Sequence, residues 1–332
     1  MDKIYKLCFS NIWRSVISFA LVLALLIGTD AILNIKPDIP TVVPPPETSS
    51  QDVTSSEITS SEEVSSEITS NEETSSEEVS SKETSSKAPS YPHTVKQENG
   101  ISIAKVDKSK LNYYKKSVNS STVGWIAVPN SNINYAVVQS SQSDPHYYNT
   151  RDYYKNYNAK GGSIWADAWC TFGTRNQLKK NTIIYGHNWT NCWRPTRIGY
   201  SGDKWFAQLA AYDNISFARQ NPYISFSTTS EEMYWQIFAV MYVKEDWQYT
   251  SGRTYIDENA DPAVLGAQAK KRSIFNFDNT VTSSDKILTL STCTRVYGKR
   301  SDIRFVVMAK LVKGTENLPA VNVTKNPNPI QP

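Results

Sequence analysis

Three residues with chemistry to offer stand at the ends of apolar runs in this chain. Cys293 closes Lys286-Ile287-Leu288-Thr289-Leu290-Ser291-Thr292-Cys293, which reads as a strand ending in a thiol. Arg304 opens the next run, Ile303-Arg304-Phe305-Val306-Val307-Met308-Ala309, and His187 ends Asn181-Thr182-Ile183-Ile184-Tyr185-Gly186-His187-Asn188. A thiol, an imidazole and a guanidinium at three strand termini could meet on one rim of a sheet. Together they would serve thiol-based acyl transfer, with a thiolate nucleophile, an acid and base for the amine, and a permanent cation for the oxyanion.

Each candidate has a plainer reading. A free cysteine often packs as a small hydrophobe, and a lone histidine is more often a hydrogen-bonded structural group. Of the three histidines, His93 sits at a linker exit and His146 in a loop, which leaves His187. Arg295 and Arg300 rival Arg304, whose alternation with Ile303 and Phe305 puts it on the opposite face from them. Ser291, Thr292 and Asn188 are candidates for lining a substrate groove, although short hydroxyl side chains equally well satisfy backbone groups. Asp167 is an acid that could orient His187, or a turn former. Cys170 and Cys192 would form a disulfide if their Cα atoms lie within about 7 Å of each other.

The elements that must position these residues are short. Apolar alternation predicts a helix over Lys108 to Val118, then strands near 124–129, 134–139, 162–167 and 181–187. A helix follows over Asp203 to Tyr212, with Trp205, Phe206, Leu209 and Tyr212 on one side, and strands resume near 222–228 and 233–243. Asp261-Pro262 supplies an N-cap and a first-turn proline for a helix over Ala260 to Ile274. Many short strands with few helices indicate a mainly β chain closed into a barrel rather than a doubly wound sheet.

The N-terminal third is of another kind. Ile12 to Leu33 is mostly apolar and uncharged from Ser15 to Thr29, near the lower limit for crossing a bilayer. Lys3, Lys6 and Arg14 precede it, so the positive-inside bias puts residues 1–11 in the cytoplasm and the rest of the chain outside. A cleaved signal peptide competes with this reading, but no small-x-small cleavage site follows the apolar run. The expectation is a single-pass transmembrane anchor over 12–33. A Pro-rich lead-in, Lys36 to Pro46, precedes seven pentads from Ser55: SSEIT, SSEEV, SSEIT, SNEET, SSEEV, SSKET and SSKAP. With so little apolar surface the 34–95 stretch should stay a disordered linker, extended by its own negative charge. The remaining chain is basic, but its Lys and Arg are dispersed, which argues against nucleic acid and for an anionic wall as the electrostatic partner.

Taken together, His187, the Thr-Leu-Ser-Thr-Cys run and Arg304 at the start of the last core strand resemble the sortase family of cysteine transpeptidases. Gly124-Trp125-Ile126-Ala127-Val128-Pro129, Asn134-Tyr135-Ala136-Val137-Val138-Gln139, His146-Tyr147-Tyr148-Asn149 and Gly162-Ser163-Ile164-Trp165-Ala166-Asp167 are similar to its class B branch. The likeness spans about 105–315, within a catalytic domain taken as 96–315 and followed by a disordered tail, 316–332. It implies an eight-stranded sortase barrel with an N-terminal helix and a helix inserted before the penultimate core strand. It also implies that Cys293 attacks the Thr carbonyl of a C-terminal sorting motif of secreted proteins. An amine of peptidoglycan precursor or of a pilin would then resolve the thioacyl enzyme, with no metal or cofactor. Arg304 is preferred over its rivals because it matches the family pattern. One departure is the basic loop Thr294-Arg295-Val296-Tyr297-Gly298-Lys299-Arg300-Ser301-Asp302, where other class B enzymes carry an acid. The alternative from another class is a non-catalytic surface scaffold or adhesion module that retains the barrel.

Overall fold

In the computed structural model the described residues are 90–158, 161–299, 302–312 and 318–332. The expected anchor, and the linker as far as residue 89, lie outside them. Among the described residues no helix is long and apolar enough to cross a membrane.

A short hairpin, β1 (Thr94–Lys96) and β2 (Ser102–Ala104), opens the chain, so ordered structure begins before residue 96. Helix α1 (Lys108–Tyr113) follows, capped by the Asp107 carboxylate on the Lys110 amide and extended by a wider helical turn over Tyr114–Val118. Next come β3 (Thr122–Ala127), β4 (Asn134–Gln139), β5 (Trp165–Ala166) and β6 (Asn181–Tyr185). The helix expected over Asp203 to Tyr212 is instead a tight 3-10 segment, Ala207–Asp213. Trp205 holds φ at 55°, a left-handed conformation that cannot propagate an α-helix. The α-helix of this region is α2 (Ile215–Gln220), capped by Asn214.

Strands β7 (Tyr223–Ser227) and β8 (Tyr234–Lys244) then pair with each other. After them the chain leaves the sheet for β9 (Gln248–Thr250), β10 (Arg253–Thr254), α3 (Pro262–Arg272) and β11 (Phe275–Phe277). It returns as β12 (Ile287–Cys293) and β13 (Ile303–Leu311). Eight strands close a barrel in the order β12-β13-β8-β7-β3-β4-β5-β6. Asp261 accepts from the Ala263 and Val264 amides with Pro262 in the first turn, so the inserted helix starts where its residue types place it.

Strand β12 is apolar throughout because both of its faces are covered. Leu288 and Leu290 join Phe305, Val307 and Ala309 in the main core within the barrel. Their alternates, among them Ile287, Val306 and Met308, pack outside against Trp247, Tyr255, Leu265 and Ala269 of the β8–β12 connection. Asn181, fully buried at the start of β6, binds this connection to the barrel: its amide donates to the Tyr255 and Asp257 carbonyls and accepts from the Thr289 hydroxyl.

The segment expected as a disordered tail is ordered from residue 318. Strand β14 (Val323–Lys325) pairs antiparallel with β11, and Leu318, Val321 and Val323 are buried in the main core. Asn99 donates to the Leu318 carbonyl, Tyr223 to that of Pro319 and Arg219 to that of Val323. The Asn and Pro composition conceals three apolar side chains at spacings that a short strand can bury. Leu318→Ala should therefore lower the unfolding free energy by about 2–4 kcal/mol, measured by urea denaturation. No change would mean that this segment packs against nothing.

Candidate active site

Strand pairing assembles the site. Strand β12 runs parallel to β6 in a register that ends at Ser291 opposite Tyr185, and the Gly186 amide still donates to the Ser291 carbonyl at 3.4 Å. The Thr292 hydroxyl donates to the Gly186 carbonyl at 2.7 Å. Two residues beyond the last pair on each strand stand His187 and Cys293. On the other side of β12 the antiparallel partner of Cys293 is Arg304. Neighbouring strands lie about 4.8 Å apart, so the backbone of His187 and that of Arg304 stand on the two sides of Cys293. Cys293 shares its parity with Ile287, and Arg304 with Val306 and Met308, which places both on the outer face of the barrel. Cys293 is exposed at the end of an otherwise buried strand.

Gly186 is the hinge of this arrangement. A Cβ there would lie 2.5 Å from Ile164 and 2.7 Å from Phe206, so only glycine lets β6 pass over the core just before the imidazole. His187 is half-buried, and its Nε2 lies 2.7 Å from the Asn149 carbonyl oxygen. Trp165 and Trp189 stand beside the ring, with centroids at 5.5 and 5.2 Å. Burial holds the imidazole pKa below the ordinary histidine value, and the bond to Asn149 opposes that shift. The neutral form is therefore favoured at neutral pH.

Arg304 donates from Nη2 to the Glu245 carboxylate and from Nη1 to the Ile303 carbonyl. Its side chain is 18% exposed. Glu245 directly follows β8, the strand that pairs with β13. The wall beyond Ser291 is formed by Tyr255, whose hydroxyl lies 3.2 Å from the Ser291 hydroxyl. Burial raises the Tyr255 pKa, which keeps it a neutral phenol.

Several expectations need correction. Asp167 does not orient His187: its carboxylate accepts from the Tyr185 hydroxyl at 3.0 Å and from the Trp169 amide at 3.0 Å. Cys170 and Cys192 form no disulfide; both are buried free thiols. Desolvation pushes the Cys170 thiol up to about 12, and its sulfur accepts from the Ile183 amide at 3.4 Å. Thr292 is fully buried on its bond to Gly186, and Ser291 is buried against Tyr255. Asn188 is buried too, exchanging hydrogen bonds with the backbone of Asn191 in its own loop. All three commit their polar groups to protein partners. Of the other histidines, His93 binds the Val128 carbonyl at 3.1 Å and His146 is exposed. Arg295 is exposed in the loop after Cys293. Glu245, Tyr255 and the Asn149 carbonyl escaped the sequence reading because nothing in their local patterns marks them.

A family model described as a sortase domain matches residues 126–312. The chain is 31% identical over 199 residues to sortase B of Listeria monocytogenes, covering 59% of this chain and 72% of that one. It is likewise 31% identical over 202 residues to sortase B of Staphylococcus aureus, covering 60% and 73%. Among solved structures, a Staphylococcus aureus sortase B–substrate complex aligns with a TM-score of 0.49 at 25% identity, covering 64% of this chain and 88% of that one. Clostridium perfringens sortase B aligns at 0.47 and 25%, covering 62% and 100%. The sortase family model and the two sequence relatives, on a closed β-barrel with an exposed cysteine at a strand end, define a cysteine transpeptidase. The chain belongs to the sortase family, and its relatives place it in class B.

The Glu245 carboxylate holds the guanidinium of Arg304, the strand partner of Cys293, so Glu245→Ala should lower kcat/KM for a sorting-signal peptide by about tenfold, equivalent to roughly 1.4 kcal/mol. Steady-state kinetics on the purified variant would show it. A value within about twofold of wild type would mean that this ion pair only supports the fold.

Proposed function

We propose that Cys293, His187 and Arg304 are the catalytic residues of this sortase. The substrate is a C-terminal sorting motif of secreted proteins, cleaved at its Thr, and the acyl group passes to an amine of peptidoglycan precursor or of a pilin. The observation that carries this reading is the register that sets the one exposed cysteine among the described residues between His187 and Arg304.

The thiolate of Cys293 attacks the Thr carbonyl carbon, and the resulting oxyanion is stabilised by charge and hydrogen-bond donation from Arg304. Collapse breaks the C–N bond, and the departing amine takes its proton from His187. A thioester remains on Cys293. The incoming amine then attacks that thioester, its proton passes to His187, and the C–S bond breaks to return the thiolate. Amine transfer rather than hydrolysis requires that the nucleophile reach the thioester ahead of water, which the exposed position of Cys293 allows for a bulky acceptor.

Cys293→Ala should abolish the thioacyl adduct with a sorting-signal peptide, seen by intact-protein mass spectrometry, while leaving the unfolding midpoint unchanged within about 1 kcal/mol. Adduct formation by that variant would refute the assignment.

The basic flank and apolar run of residues 12–33 support a single-pass anchor in the cell membrane with the catalytic domain outside. Protease added to intact cells should then remove the catalytic domain and leave an N-terminal epitope protected. Protection of both ends would sink this topology.

A further inference from the structure

We infer that the Asn149 carbonyl and the bare Cα of Gly162 form a seat that fixes His187 as its Nε2–H tautomer, leaving Nδ1 as the nitrogen that exchanges protons in the reaction. This deepens the role proposed for His187 and rests on that reading. Asn149 and Gly162 act through the imidazole and are positioning residues.

A carbonyl oxygen only accepts, so at 2.7 Å from Nε2 it requires a proton on that nitrogen. Turning the ring over would bring a carbon to the carbonyl in place of the donor and forfeit the bond. The seat has a second, independent mark in the backbone. Gly162 holds φ at +57°, and a Cβ there would stand 2.6 Å from the Asn149 oxygen and 3.0 Å from both Cδ2 and Nε2 of His187. No side chain fits between the ring and its acceptor. Trp165 and Trp189 restrict rotation of the imidazole from beside it. The turn carrying Asn149 is itself held, because the Ser163 amide donates to the Tyr148 carbonyl at 3.2 Å and the Tyr148 hydroxyl bonds with the Asn119 amide at 2.9 Å.

In the proposed cycle the Sγ proton passes to Nδ1, giving thiolate and imidazolium. Nδ1–H then delivers that proton to the departing amine as the C–N bond breaks. Nε2–H stays on the Asn149 carbonyl throughout, stabilising the cationic ring without changing partners.

The test uses the full-length protein with 15N-labelled histidine. Three histidines are present, and the His187 resonances are those lost in His187→Gln. The neutral ring should show a proton on Nε2 that exchanges slowly with solvent and an unprotonated Nδ1. A neutral Nδ1–H form, or an Nε2–H exchanging as fast as free imidazole, would overturn the seat. In Gly162→Ala the slow proton should be lost and kcat should fall by about tenfold or more with KM within roughly twofold. An unchanged kcat would overturn the positioning role. Should Gly162→Ala fail to fold, the wild-type proton measurement still decides. Failure of the catalytic assignment itself would appear separately, as absence of turnover in a wild-type protein whose Nε2–H is protected.

Discussion

The parallel pairing of β6 with β12 is the constraint on which the site depends. Parallel neighbours advance together, so two strands that end at the same level deliver their terminal residues to one rim. That is how an imidazole and a thiol more than a hundred residues apart in sequence come to lie on adjacent strand ends. The antiparallel partner on the other flank, β13, begins where β12 stops, and so Arg304 arrives at the same level without a separate loop to carry it. Closure of the barrel makes this registration stiff. A one-residue slip of β12 would turn Leu288 and Leu290 out of the core and point Cys293 inward, a cost of several buried apolar side chains.

Electrostatics divide the rim into two halves of different character. On the β6 side, burial of the His187 ring disfavours its charged form, and the bond to the Asn149 carbonyl opposes that effect. On the β13 side, a fixed cation is anchored by a fixed anion, Arg304 by Glu245. Arginine cannot be neutralised by its surroundings, so this half keeps its charge, while in the proposed cycle the other half exchanges a proton. Separate tasks thus fall to separate strands, and the thiol lies between them.

The residues proposed for the chemistry stand out in the sequence because they interrupt patterns. An apolar run that stops at cysteine and a buried strand that ends in Tyr-Gly-His each break an otherwise uniform strand, and β12 reads as continuously apolar because both its faces are covered. The Asp-Pro start of α3 was equally plain. Other features were hidden by their physical nature. The partner of His187 is a backbone carbonyl, which every residue possesses, so no side-chain pattern could favour Asn149 over Asp167. The ion pair of Arg304 joins residues 59 positions apart, a separation over which sequence spacing carries no information. The tail was misread because Asn and Pro dominate its composition, whereas its order comes from Leu318, Val321 and Val323 filling the core beside Phe275 and Phe277. The disulfide expectation failed because Cys170 faces the backbone of β6, where its sulfur receives the Ile183 amide.

Barrel closure also limits how a peptide can be recognised. An open sheet could add an extended substrate as one more strand, binding it through main-chain hydrogen bonds with little regard for sequence. Here every core strand has two partners along the barrel, although β12 runs two residues past its last pair with β6 to reach Cys293. Cys293 lies on the outer face, over which several segments rise. The connection from β8 to β12 is the largest of these: it covers the outer face with Trp247, Tyr249, Leu265 and Ala269, and its cover ends at Tyr255 beside Ser291, one short step before the thiol. That connection and the loop following His187 are thus the segments nearest the rim, while the barrel strands fix the register of Cys293, His187 and Arg304. Changes in either segment leave untouched the strand pairing that sets Cys293 between His187 and Arg304.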